Sequence, residues 1–437
     1  MCAEKIDAGL EHKLQDFITE GFSPRFNHLR DGFATKPKWQ KLRELGTKLW
    51  LDSGNIEDIE KEWTKEFSGL TVNNTLLNKE IQAGRYDSLI PEIMNILDNH
   101  SEINDQHRML EIHFVLNAYH GLRLVEKFDA YVSLEEHTDL ALDLDQAVDY
   151  AQRLYAICPE RFCIKIPFTA AGLLATRKLS IAGVPVNHTL GFSARQNYLI
   201  ARIAKPTYVN VFLGRLNSFV LDNDLGSGDY IGEKATLASQ KIVKDLRAKN
   251  LTKSKQIGAS FRNGQQIHSL AGIDVMTIPP KVANQFQKMN IGLDLIVDRK
   301  DWEYTEGIKK EVDAESIGLN SLWDVDENLI SCVEKLEADN VDTFTTTDLY
   351  EFFKENKCAD VLVKWDNSQI ETSYNEGKIP NLKNWTDALK SKKIGLDSLM
   401  NLAGLNSFKA DQQEMDQRIK NVLENKVEPH DIGIRKH

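Results

Sequence analysis

Between about residues 45 and 295 the chain alternates short apolar, β-branched runs with longer stretches whose apolar positions recur at helical spacing. That alternation predicts a parallel sheet covered by helices. Eight strands are expected, over residues 48–52, 69–73, 130–135, 162–167, 185–190, 207–213, 256–261 and 275–278. Helical periodicity over 147–156, 171–181, 195–203 and 233–249 falls between them. Eight strands with intervening helices over about 250 residues fit a (β/α)8 TIM barrel with additional N-terminal and C-terminal helices. An open doubly wound sheet is the alternative, and the absence of a glycine fingerprint at the first helix counts against a dinucleotide-binding version of it.

The pattern divides the chain into an N-terminal helical segment (1–44), a catalytic barrel (45–297) and a mainly helical C-terminal extension (298–437). The extension is rich in Glu, Lys, Asp and Asn, with helical spacing over 329–336 and 349–353. Its Trp365 and Trp385 are read as core anchors rather than an interaction surface. No recognisable chemistry is expected there.

With 437 residues, 41% of them hydrophobic, the chain can bury a large core. A net charge of −11 and a pI near 5.6 argue against nucleic-acid or anionic-membrane surfaces. Recognition of phosphate would then be local, through a few arginines. Residues 1–13 lack a basic region followed by an apolar run, so no secretory signal is expected, and no stretch approaches the roughly 18 apolar residues of a membrane span. The five cysteines (Cys2, Cys158, Cys163, Cys332 and Cys358) are odd in number and scattered, which suits reduced thiols and a cytoplasmic location.

A barrel enzyme carries its reactive groups at the carboxyl ends of its strands, so the polar residues closing each apolar run are the candidates. They are Asp52 in LWLDSGN, Asn73 in LTVNN, Glu135 in YVSLEE, Lys165 in FCIKIPFT, Asn187 and Thr189 in VPVNHTL, Asn210 and Arg215 in YVNVFLGR, and Arg262 in GASFRN. A lysine within so apolar a strand faces either an ion-pair partner or a reactive pocket. Burial beside other cations would favour the neutral amine that attacks a ketone and forms an iminium, an electron sink for cleaving the adjacent carbon–carbon bond. A carboxylate such as Asp52 would serve as the base at the hydroxyl beside that bond, and a helix N-cap is its bland alternative.

Seven segments in order, LWLDSGN, GLTVNNTLLNKE, VSLEE, CIKIPFTAAGLLA, NHTLGFSARQ, NVFLGRL and GASFRN, resemble transaldolase, a class I aldolase-type barrel, across about residues 40–290. The resemblance implies that Lys165 is the Schiff-base lysine and Asp52 the proton-shuttling carboxylate. It implies that Glu135 and Thr189 hold the water that forms and hydrolyses the iminium. Asn73, Asn187, Asn210 and Phe212 would contact the substrate, and Arg215 and Arg262, with Ser260 nearby, would bind its phosphate. The implied substrates are sugar phosphates, and neither cofactor nor metal is then required. A homo-oligomer is compatible with the sequence but not legible in it.

Two departures concern substrate preference. The family's usual TTNPS reads TVNNT here, and Asn210 stands where a serine is common. A fructose 6-phosphate aldolase is the nearest rival; those enzymes tend to carry glutamine and tyrosine where this chain has Glu135 and Phe212. A non-catalytic scaffold acting through residues 300–437 is the reading from a different class.

Three further signals are discounted. His107, His113 and His120 lack the spacing of a zinc helix, and only the last two would share a face. GSGDYIG, residues 226–232, is a loose phosphate-loop look-alike, expected as the loop after the sixth strand. Asp139, Asp143, Asp145 and Asp149 read as a solvated acidic face at a helix start.

Overall fold

The computed structural model describes residues 6–24, 26, 32–100 and 103–426. Its centre is a closed parallel barrel of eight strands in sequence order, β1 (Lys48–Asp52), β2 (Phe67–Val72), β3 (Tyr131–Glu135), β4 (Phe162–Pro167), β5 (Val186–Thr189), β6 (Tyr208–Phe212), β7 (Lys255–Ala259) and β8 (Val275–Ile278). Closure is made by β1 against β8, where Trp50 pairs with Thr277 and Leu51 with Ile278. The expected strands are all present. β1, β4 and β8 have the bounds read from sequence, and the others differ by one or two residues at either end. These strands read clearly because both faces are covered: all six residues of β4 are buried.

The loops at the carboxyl ends of the strands are closed by capping side chains. Asn73, Thr169, Ser193 and Asn263 each accept a backbone N–H from the first turn of the helix that follows. Such caps satisfy amides that the helix leaves free, and they set where each loop stops.

The lower barrel is filled by aromatic rings. Trp50 lies 5.0 Å from Tyr208 and 5.7 Å from Tyr131, centroid to centroid. Gly69, the register partner of Trp50, makes room for it: a Cβ there would sit 2.7 Å from the indole. This floor leaves the upper barrel as the place for a pocket.

After β8 the chain continues through helices that include Glu327–Ala338, Thr346–Glu355 and Asn367–Glu376, ending in a long terminal helix, Leu396–Leu423. Trp385 is buried and Trp365 half-buried, their rings edge to face at 6.1 Å, as expected of core anchors. The terminal helix crosses the carboxyl end of the barrel. Asn401 donates to the carbonyl of Leu190 at 3.1 Å, and a Cβ on Gly404 would meet the Leu190 side chain at 2.8 Å. Further along, Asp411 accepts from Thr75, Glu414 from Asn78, and Arg418 pairs with Asp87. Positions 401, 404, 408 and 411 fall at helical spacing, so a single stripe of the helix faces the barrel.

That helix is anchored by Arg195, just after β5. Its guanidinium donates to both oxygens of Asp397, at 2.8 and 2.7 Å, and to Asp360 at 2.7 Å, while Ser193 donates to Asp397 at 2.6 Å. A buried carboxylate needs such a set of donors. No helix among the described residues is long and apolar enough to cross a membrane. Cys158, Cys163, Cys332 and Cys358 are free and buried, and Cys2 lies outside the described residues.

Candidate active site

Side chains alternate across a strand, so residues two and four positions beyond the aromatic floor point inward above it. That places Asp52 above Trp50, Glu135 above Tyr131, and Asn210 and Phe212 above Tyr208. Lys165 lies between them, its register partners being Glu135 on β3 and Asn187 on β5. A cavity of ≈ 200 Å³ is lined by Asp52, Asn73, Lys165, Asn187, Asn210 and Phe212, together with Arg215, Ser260 and Arg262.

Lys165 and Glu135 are both sealed from solvent, and Lys165 Nζ donates to Glu135 Oε2 at 3.3 Å. Burial raises the pKa of Glu135 above the usual carboxylate range, and the charge of Lys165 partly offsets this. The next residue, Glu136, is also buried, and desolvation together with the charge of Glu135 holds its carboxyl well above that range. Asp52 accepts from Thr71 Oγ1 at 2.7 Å, and Thr71 in turn contacts Thr277 Oγ1 at 2.6 Å. Desolvation raises the pKa of Asp52, against the opposing pull of Lys165, Thr71 and Arg262.

Two amides and a hydroxyl form one chain. Asn210 Nδ2 donates to Asn187 Oδ1 at 3.2 Å, and Asn187 Nδ2 donates to Ser133 Oγ at 3.1 Å. Asn210 Oδ1 accepts the Gly191 N–H at 3.2 Å, so this asparagine spends its acceptor on backbone where a serine is common in the resembling family. Asn73 accepts the Leu76 N–H at 2.9 Å and keeps its Nδ2 hydrogens for the cavity it lines. Thr189 is buried behind the cavity wall and does not line it. Its Oγ1 has no hydrogen-bond partner among the described residues, a costly state for a buried hydroxyl.

Arg215 lies against both Phe212 and Phe408, its guanidinium 5.6 and 5.4 Å from their centroids. Its Nη1 is buried without a partner among the described residues. Burial and the charge of Arg262 push its pKa down to about 10, and desolvation also lowers that of Arg262. Two mutually repelling guanidinium groups in one cavity are matched to an anion. Ser260, between them in the wall, holds a left-handed φ of 67°, a conformation of the kind that concentrates at functional sites.

Two lining residues come from the extension, where no chemistry is expected from the sequence. Phe408, on the terminal helix, stands 5.8 Å from Lys165 Nζ, and Lys378 also faces the cavity. Locally, Phe408 reads as an ordinary apolar helix position and Lys378, in EGKIP, as a turn lysine; no sequence signal near either indicates the barrel.

The discounted motifs take ordinary places. His113 stacks edge to face on His137 and His120 contacts the Tyr86 hydroxyl at 2.6 Å, each within the helix Asp105–Phe128. GSGDYIG does not directly follow β6 as expected. The chain turns at Phe212 into the helix Leu213–Asp222, and the loop comes after it. Asp143 caps the helix Leu144–Ile157, on which Asp145 and Asp149 lie.

A closed parallel barrel with a buried lysine–carboxylate pair and two converging arginines at its carboxyl end is an enzyme of the (β/α)8 class. Residues 49–355 match the model of the Transaldolase/Fructose-6-phosphate aldolase family. The chain is 31% identical over 262 residues to a probable transaldolase of Thermus thermophilus, covering 58% of this chain and 97% of that one. It is 32% identical over 263 residues to a probable transaldolase of Clostridioides difficile, covering 59% and 97%. It is also 28% identical over 253 residues to a transaldolase of Protochlamydia amoebophila, covering 56% and 76%. The chain belongs to the Transaldolase/Fructose-6-phosphate aldolase family, as the resemblance implied.

Proposed function

We propose that the protein is a transaldolase of the pentose phosphate pathway, acting in the cytoplasm and moving a dihydroxyacetone unit between sugar phosphates through a Schiff base on Lys165. The reaction interconverts sedoheptulose 7-phosphate and glyceraldehyde 3-phosphate with erythrose 4-phosphate and fructose 6-phosphate. The observation that carries this reading is the buried Lys165 amine at the wall of a cavity between two carboxyl groups.

In this mechanism the neutral amine adds to the ketone carbon of the donor, and loss of water gives the iminium. Glu135 and Thr189 hold that water, Glu135 taking and returning its proton; the unpartnered Thr189 hydroxyl supports this role. Asp52 removes the proton of the hydroxyl on the far carbon of the bond to be cleaved. The carbon–carbon bond then breaks, its electrons pass to the iminium to form the enamine, and the aldose leaves. An incoming aldose reverses these steps, with Asp52 returning its proton to the new hydroxyl. Asn73, Asn187 and Asn210 bind substrate hydroxyls, while Arg215 and Arg262 hold the phosphate.

Borohydride reduction with fructose 6-phosphate, followed by peptide mass mapping, tests this. An adduct on Lys165 is expected; folded protein that gives no adduct would overturn the reading. Fructose 6-phosphate aldolase is disfavoured by Glu135 and by Phe212, which lacks a hydroxyl to direct water. Glyceraldehyde 3-phosphate release without an acceptor aldose would reverse that preference.

A further inference from the structure

We propose that Lys378, from the C-terminal region beyond the family match, is a third cationic ligand for the substrate's phosphate, delivered to the cavity that holds Arg215 and Arg262. This rests on the sugar-phosphate reading and deepens it.

The first argument is charge. With Lys165 set against Glu135, the cavity wall still carries Arg215, Arg262 and Lys378 against Asp52, a formal excess of two positive charges. In a chain of net charge −11 this is a local reversal of sign. A phosphate monoester of about −1.5 to −2 at neutral pH balances it. Without Lys378 the two arginines and Asp52 leave a single excess charge, short of a dianion.

The second argument is that Lys378 is held in position by the framework. The helix Asn367–Glu376 ends at Gly377, whose φ of 78° turns the chain away from the helix axis. The following residues are tied to Asn223, which donates to the Pro380 carbonyl at 3.0 Å and accepts the Leu382 N–H at 2.7 Å. Asn223 caps the end of the helix Leu213–Asp222, which bears Arg215. The loop carrying Lys378 and the helix carrying Arg215 are therefore bonded together. Glu376, on the preceding turn, is engaged by Asn384 at 2.6 Å and Trp385 at 2.8 Å, so it is occupied elsewhere. Lys378 itself has no carboxylate partner among the described residues.

The third argument is reach. An ammonium on a flexible stem binds phosphate as a point charge and adjusts to its position, whereas a buried guanidinium is fixed by its fork. Arg215, buried against two rings, and Lys378, exposed at the rim, divide those tasks.

The test uses the full chain and Lys165 trapping by borohydride as a function of ligand concentration. For Lys378→Gln the half-saturating concentration of fructose 6-phosphate should rise about tenfold, as expected for loss of one charge-assisted contact. Trapping at saturation, and trapping with unphosphorylated dihydroxyacetone, should stay at wild-type levels. Lys378→Arg should restore most of the affinity. An unchanged fructose 6-phosphate curve for Lys378→Gln, or an equal loss with dihydroxyacetone, overturns the assignment while the Schiff-base reading stands. Failure of the wild type to trap either ligand overturns both.

Discussion

Glu135 and Lys165 are register partners on adjacent strands and meet as a sealed pair, Nζ to Oε2 at 3.3 Å. Neither group has solvent to fall back on, so each is the other's polar partner. Lys165→Met removes the proposed nucleophile and leaves the carboxylate without its partner. Activity should fall by at least about 10⁴-fold, and stability at neutral pH by roughly 3–5 kcal/mol. The stability loss should shrink at acidic pH, where Glu135 is protonated and no lone charge remains. Parallel urea titrations at two pH values check this, and a loss that does not vary with pH would contradict the pairing.

The neighbouring glutamates should behave differently although they are adjacent in sequence. Burial and the charge of Glu135 raise the pKa of Glu136 well above the usual carboxylate range. Glu136→Gln should therefore stay within about 1 kcal/mol of wild-type stability and keep its activity. Glu135→Gln should lose about 10²- to 10⁴-fold in kcat. Steady-state kinetics of the two variants decide the matter, and a reversed order would exchange the assigned roles.

Asp52 has its pKa raised by desolvation from an ordinary value of 3.8. The folded state therefore holds the proton more tightly than the unfolded chain does. Stability contributed by this group is complete below the unfolded value and is lost as pH rises through the folded one. Asp52→Asn should remove that loss and raise stability at neutral pH, while cutting turnover by about 10²- to 10⁴-fold. The acid limb of kcat/KM in the wild type should lie above the usual aspartate range. Paired thermal-melt and rate profiles against pH test both statements, and a less stable Asp52→Asn would refute them.

Arg195 and Asp397 join the barrel to the terminal helix with two bonds of 2.8 and 2.7 Å in a buried setting. Asp397→Ala should cost about 3–5 kcal/mol, since the guanidinium keeps only Asp360. The helix also carries Phe408, so KM for fructose 6-phosphate should rise with it. A double-mutant cycle with Arg195→Met should show non-additivity. Additive effects would mean that the helix is held by its apolar contacts alone.

The barrel was legible in the sequence for a physical reason. Strands covered on both faces are continuous apolar runs, and a polar residue ending such a run, as Lys165 and Asp52 do near the ends of β4 and β1, stands out against them. The differences at 69–73 and 207–213 arise because Asn73 and Leu213 belong to helices, the first as a cap and the second as an opening residue. Phe408 is illegible because what gives it meaning is contact with Lys165 and Arg215, some 200 residues earlier in the chain, and Lys378 because only the fold brings it to the same cavity. Locally a turn lysine and a helical phenylalanine carry no mark of the barrel. The place of Thr189 at a strand end was legible, but its role came only through the resemblance; nothing about a threonine on a strand announces a missing partner.

The aromatic floor built from Trp50, Tyr131 and Tyr208 has a kinetic corollary. A barrel plugged below has one door. In the proposed transfer, whatever the first half releases must leave by the path its replacement will take, so the two aldoses are expected to pass in turn. Parallel lines in double-reciprocal plots, and inhibition by whichever aldose crowds the doorway out of turn, are the traffic pattern that three packed rings impose.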